Sequence, residues 1–272
     1  MGANPSVPAL GLGTYRNTEY ERCKGSVLTA LDVGYRHIDT AEAYRNEGAV
    51  GDALATSDVP REEVFLATKV LHPKFADGYD AASIVDAAHS CLERLGVEHV
   101  DLFYGVHWPG DGYDAEETFA ACTTLYEEGT VRQLGVCNMT PVLLEEARSV
   151  SDVPISALQV ELHPLLPQAE LRSYCDTHDI SVVAYAPLGN GRMFEVPELQ
   201  EIAEERDVGV AQVSLAWLRR KGVAAIPKAT GADHIRENWG SLELELTDDE
   251  LRKIDDILRE ERQYDPGYAP KW

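Results

Sequence analysis

Four side chains in the first half of the chain are of types suited to proton transfer: Asp39, Tyr44, Lys69 and His107. A free phenol ionises near pH 10, too high for efficient proton transfer at neutral pH. A nearby ammonium favours the phenolate and lowers that value, and a carboxylate beside the ammonium favours its charged form. Asp39 and Lys69 therefore predict a Tyr44 hydroxyl tuned as an acid. His107 is suited to hydrogen-bond the phenol or a substrate oxygen. Such an acid protonates an alkoxide as it forms, which carbonyl reduction requires when hydride arrives from the other side.

These residues need elements that bring them together. Residues 36–39 predict a short strand, and 63–69 and 100–106 are apolar runs that predict buried ones, ending in Asp39, in Lys69 and just before His107. Tyr44 follows the first run by five positions. Further strands are expected at 10–15, 131–136, 155–160, 180–184 and 223–226. Between them lie helical patterns. Cys23, Val27, Ala30 and Leu31 repeat at helical spacing before Gly34, and Thr140-Pro141 suits an N-cap followed by a first-turn proline. Ser83 with Asp86, and Thr247 with Glu250, have capping-box spacing.

Strand and helix alternate throughout, which means a parallel sheet with helices outside it. A doubly wound open sheet would carry a GxGxxG loop after its first strand. Gly11-Leu12-Gly13 lacks the third glycine. The expected fold is therefore α/β, a (β/α)8 TIM barrel forming a single domain over residues 1–272. In such a barrel the C-terminal strand ends meet at one mouth, and so do Asp39, Lys69 and His107.

The net charge is −23, from 47 acidic and 24 basic residues. That balance argues against nucleic acid and anionic membrane as partners. Glu42, Glu47, Asp52 and Asp58, with Asp248, Asp249 and Glu250, are expected to form a solvated acidic shell, of the kind that suits a high-salt, halophilic interior. Five cysteines, an odd number without CxxC spacing, point to a reduced intracellular chain. No secretory pattern opens the sequence and no apolar run is long enough to span a membrane, so a cytoplasmic location is expected. His72 and His163, with Asp39 and His107, raise a metal-dependent hydrolase as an alternative. Without H-x-H or H-x-x-E-H spacing no metal site is expected.

The segment Gly-Tyr-Arg-His-Ile-Asp-Thr-Ala-Glu-Ala-Tyr at 34–44, followed by Asn46-Glu47, resembles the aldo-keto reductase signature. So do Thr68-Lys69, His107-Trp108-Pro109, Gly135-Val136-Cys137-Asn138, Gln159-Val160-Glu161-Leu162-His163-Pro164, Ala184-Tyr185-Ala186-Pro187-Leu188-Gly189 and Ile226-Pro227-Lys228. They follow family order over nearly the whole chain, and the chain is similar in size to compact microbial members of the diketogluconate reductase type. The resemblance implies an NAD(P)H-dependent reductase of aldehydes and ketones, with Asp39, Tyr44, Lys69 and His107 as its catalytic tetrad. It places Asn138, Gln159 and Tyr185 around the nicotinamide, Leu188 and Asn190 by the pyrophosphate, and Thr14 among the cofactor-binding residues. Lys228, Thr230, His234, Glu237 and Asn238 fall at the adenosine end. Tyr15 and Trp108, joined by Tyr268 and Trp272, are implied to line the substrate pocket of a monomer. A nicotinamide-binding sensor with little turnover is the alternative on the same barrel.

Two positions depart from the family pattern. Cys137 stands where a serine is usual, a weaker donor toward a carboxamide. Ala229 and His234 stand where serine and arginine are usual, and histidine ordinarily titrates near pH 6.5 whereas arginine stays charged. NADP(H) is the expected cofactor, with NAD(H) accepted and weaker discrimination between them than is typical.

Overall fold

Eight short strands pair side by side in parallel and in chain order. They are β1 (Leu12–Gly13), β2 (His37–Asp39), β3 (Phe65–Lys69), β4 (Leu102–Tyr104), β5 (Leu134–Cys137), β6 (Ile155–Glu161), β7 (Ser181–Tyr185) and β8 (Ala224–Ala225). The computed structural model describes residues 7–72, 79–110 and 112–272. The sheet closes on itself where β8 meets the start of the chain. Gly11 N donates to Ala225 O at 2.8 Å, Ala225 N to Ala9 O at 2.9 Å, and Gly13 N to Pro227 O at 3.2 Å. A side chain on Gly13 would place its Cβ 2.6 Å from Ile226 O, so the seam closes only around a glycine. This is the expected (β/α)8 barrel.

Alternation along the strands sorts residues into two cores. Ile38, Leu66, Phe103, Val136, Leu158, Val160, Val182 and Ala184 point outward and pack in the large cluster under the helices. Phe65, Ala67, Leu102, Tyr104, Cys137 and Ala157 point inward and fill the barrel. The helices hold the outer layer. Among those flanking the site, α1 (Tyr20–Val33) ends at Gly34, whose φ of 126° suits only glycine, and α2 (Glu47–Thr56) packs between α1 and α3 (Ala81–Leu95).

Three expectations about local structure need correction. The strand expected at 100–106 is ordered as β4 over Leu102–Tyr104 only; Val100 makes an isolated bridge to Val131 and His107 lies three residues past the strand end. The N-cap of α3 is Asp80, whose carboxylate accepts from Ser83 N at 3.0 Å, so Ser83 is inside the helix rather than capping it. Thr247 does form the expected box with Glu250. Glu47 is not part of a solvated shell. It is buried, accepting from Thr68 Oγ1 at 2.7 Å and from Arg94 Nε at 2.8 Å, and so ties α2 to the outer face of β3 and to α3.

Candidate active site

The same alternation that fills the barrel with apolar side chains delivers polar ones to its mouth. Asp39 follows His37 on the inner face of β2, Lys69 follows Phe65 and Ala67 on β3, Gln159 follows Ala157 on β6, and Tyr185 follows Val183 on β7. Lys69 and Asp39 are fully buried and form an ion pair at 2.5 Å. Lys69 Nζ also donates to Thr40 O at 2.8 Å, and Gln159 Nε2 donates to the other oxygen of Asp39 at 2.8 Å. Thus both carboxylate oxygens are satisfied, and the lysine is held where water does not reach it.

Tyr44 ends a short 3-10 turn (Glu42–Tyr44) after β2, and the chain leaves that turn through Arg45 at a φ of 55°. The turn lays the Tyr44 ring over Lys69, with Nζ 5.1 Å from the ring centroid. His107 meets the same ring edge-on at 5.8 Å, and Tyr15 approaches it at 5.2 Å. Tyr104, behind Lys69, needs the missing side chain of Gly135, where a Cβ would sit 2.7 Å from its ring. The expected direction of the Tyr44 shift is corrected here. Burial, reinforced by the Asp39 charge, pushes its phenol well above its ordinary value. The Tyr44 hydroxyl therefore keeps its proton at neutral pH. Burial, with Lys69 and His72 adding to it, holds His107 well below its ordinary value, so the imidazole is neutral. Its Nδ1 is buried without a hydrogen-bond partner among the described residues.

Beside this group stand two amides. Asn138, at a φ of 56° just past β5, donates to His107 O at 2.9 Å and accepts from the Tyr185 hydroxyl at 2.9 Å. Cys137, its neighbour, packs inside the barrel with Tyr104 and Ala67. One continuous cleft of about 1000 Å³ runs from Tyr44 and His107 past Asn138, Gln159, Tyr185 and Leu188 to Lys228, His234, Glu237 and Asn238. Among the described residues no group of three or more His, Cys, Asp or Glu side chains is arranged to hold a metal ion.

The model of the Aldo/keto reductase family matches residues 9–259. The chain belongs to that family. A 9,11-endoperoxide prostaglandin H2 reductase from Trypanosoma cruzi is 39% identical over 259 residues, covering 94% of this chain and 89% of the relative. Glyoxal reductase of Bacillus subtilis is 38% identical over 257 residues, covering 94% and 91%. Among solved structures, a candidate 2,5-diketo-D-gluconic acid reductase B superposes with a TM-score of 0.91 at 33% identity, covering 98% of this chain and 94% of that one. An aldo-keto reductase complexed with NADPH superposes at 0.88 and 27% identity, covering 97% and 88%. The aldo-keto reductase described here therefore reduces carbonyls with a nicotinamide cofactor.

Within this reductase most of the expected residues converge on the cleft, and a few do not. Thr14 is fully buried, and its hydroxyl donates to Asp39 O at 3.0 Å, so it supports β2 from behind the cleft wall. Thr230 lies outside the lining, whereas Lys228 and His234 are exposed along it. Tyr15, Trp108 and Tyr268 line the catalytic end; Trp272 stands behind Trp108, with ring centroids 6.5 Å apart. The cleft also brings in residues that the sequence does not single out. Arg16, Phe194 and Tyr264 line the cleft. Arg16 takes a φ of 58° and lies over the Tyr15 ring, and Tyr264 comes from a tail without regular structure. No helix among the described residues is long and apolar enough to cross a membrane.

Proposed function

We propose that Tyr44 is the proton donor of this reductase and that Lys69, fastened by Asp39, offsets the negative charge left on the phenolate. The observation that carries this reading is a fully buried lysine–aspartate pair directly beneath a tyrosine ring at the barrel mouth. NAD(P)H, when bound, supplies the hydride to the carbonyl carbon. Tyr44 delivers its hydroxyl proton to the carbonyl oxygen as negative charge builds there. Neutral His107 donates one ring N–H to the same oxygen, which fixes the carbonyl and stabilises the developing charge. Asp39 keeps Lys69 in place and transfers no proton.

The cleft fits an extended dinucleotide. Its volume lies at the upper end for small-ligand sites, and its lining changes from amide and aromatic groups at one end to a cation and polar side chains at the other. Asn138 and Gln159 would hold a carboxamide, exchanging their present bonds to Tyr185 and Asp39. Tyr185 would support the ring. Leu188 and Asn190 would border the pyrophosphate, and Lys228, His234, Glu237 and Asn238 the adenosine end. With a single lysine and an exposed histidine there, the reductase accepts NADPH and NADH with weak discrimination. Tyr15, Trp108 and Tyr268 give an aromatic pocket for small aldehydes and ketones, glyoxal-type dicarbonyls among them. The whole chain acts as one cytoplasmic, monomeric unit whose acidic surface suits high salt.

Tyr44→Phe tests the assignment. It removes the proton and keeps the ring, so kcat for NADPH-dependent reduction of a carbonyl panel should fall by about 10²–10⁴-fold while NADPH binding persists. Near-normal turnover by the variant would show that another group donates the proton.

A further inference from the structure

Glu161 is a carboxylate that the reaction leaves unexplained. It ends β6, two residues past Gln159 and in register with Tyr185, and it is fully buried. Desolvating a carboxylate is costly, and this one is satisfied largely from the far end of the chain. Its Oε1 accepts from Gln263 N at 2.6 Å and lies 3.1 Å from Nε2 of the buried His163; its Oε2 accepts from Tyr264 N at 2.8 Å. Just before them, Glu261 N donates to Leu165 O at 2.7 Å. The tail is thus fastened to the barrel at a charged point.

What this attachment positions is Tyr264. Its ring packs edge-on against Tyr185 at 5.5 Å and approaches Tyr15 at 6.3 Å. Its hydroxyl donates to Asn190 Oδ1 at 3.1 Å. Tyr15 follows β1 and Asn190 follows β7, and both line the cleft. One tyrosine from the tail therefore bridges the two lips of the groove.

We propose that Glu161 is a positioning residue that fastens the C-terminal segment as a strap across the groove, and that Tyr264, held by it, limits how fast the nicotinamide cofactor leaves. This rests on the reading that the cleft holds that cofactor. Passage between the lips breaks the Tyr264–Asn190 hydrogen bond and the packing on Tyr185. Charge-assisted bonds to two successive backbone N–H groups restore the bridge after each exchange.

The test is stopped-flow fluorescence of NADPH binding to and release from the full chain, for wild type, Glu161→Gln and Tyr264→Phe, with single-turnover hydride transfer measured alongside. Glutamine turns an N–H toward backbone donors, so Glu161→Gln should speed release about tenfold. Tyr264→Phe keeps the ring and loses the bond to Asn190, so it should speed release about threefold. In both, release should change by more than the hydride step does. A lowered melting temperature with release within twofold of wild type would mark a purely structural role and overturn the proposal. If Glu161→Gln fails to fold, Tyr264→Phe decides alone. A wild-type protein that binds no NADPH overturns the cofactor reading and the strap with it, a result distinct from variants that bind and release normally.

Discussion

Replacing Lys69 with methionine isolates the charge on which the proposed acid depends. The side chain is fully buried, so an unbranched apolar replacement fills most of its space and removes the ammonium. Taking the 5.1 Å separation from the Tyr44 ring centroid as the charge distance, and an effective dielectric of about 20, the ammonium stabilises the phenolate by about 3 kcal/mol. That is slightly more than two decades of acidity, so the chemical step should slow by about 10²–10³-fold. A second effect must be separated from this one. Asp39 would keep only Gln159 as a side-chain partner, and an uncompensated buried charge costs about 3–5 kcal/mol of stability. The Lys69→Met, Asp39→Asn double variant removes that charge. Its urea midpoint should return toward wild type while its turnover stays low. Single-turnover oxidation of NADPH with an aldehyde is the appropriate assay, because release of products can mask chemistry in kcat. A hydride step within fivefold of wild type in both variants would refute the electrostatic role of Lys69.

Two further predictions concern pH and cofactor choice. Burial lowers His37 to about 4, so the folded protein resists protonating it while the unfolded chain binds a proton near pH 6.5. The sign is that stability falls as pH drops through this window; between pH 7 and 5 the loss from this residue is about 2 kcal/mol, seen as wild type losing that much urea stability relative to His37→Leu. A gap independent of pH would count against it. Steady-state kinetics at pH 8 should give kcat/KM values for NADPH and NADH within about tenfold, a span of about 1.4 kcal/mol; strong NADPH preference would mean that Lys228 alone suffices for the phosphate end.

The barrel, and the meeting of strand-end polar residues at its mouth, were legible in the sequence for one physical reason. Buried parallel strands are continuous apolar runs, and a polar residue at the end of such a run has nowhere to go but the mouth. Lys69 is of this kind; Asp39 ends the largely polar stretch Arg36-His37-Ile38 and is marked by the family resemblance instead. The features the sequence hid depend on partners far along the chain. Glu47 resembles any surface acid until Thr68 and Arg94, 21 and 47 residues away, close around it. Asp80 and Ser83 satisfy the same local spacing rule as Ser83 and Asp86, and only the backbone path decides which one caps. The Tyr44 shift was read with the wrong sign because a neighbouring charge is visible in a sequence and the depth of burial opposing it is not. Tyr264 reaches the cleft through Glu161, 103 residues away, and nothing local marks it.

The net negative charge of the chain and the charge of an anionic nicotinamide cofactor pose a further problem on which the ion pairs bear. A net charge of −23 should repel a dinucleotide that carries several negative charges. Arginines elsewhere on the surface are largely committed: Arg61, Arg94, Arg206 and Arg219 each sit against a carboxylate at 2.6–2.9 Å, so they add little net field of their own. Along the cleft the pattern differs. Among the described residues Arg16 and Lys228 line it without an acidic ion-pair partner, and Arg16 rests on the Tyr15 ring instead. At physiological salt the screening length is about 8 Å, so charges spread over the rest of the surface are felt weakly there, and the local field is set by the groups that line the cleft, Arg16 and Lys228 against Glu237 and Asp265. A compact dinucleotide entering the cleft would meet Arg16 and Lys228 there.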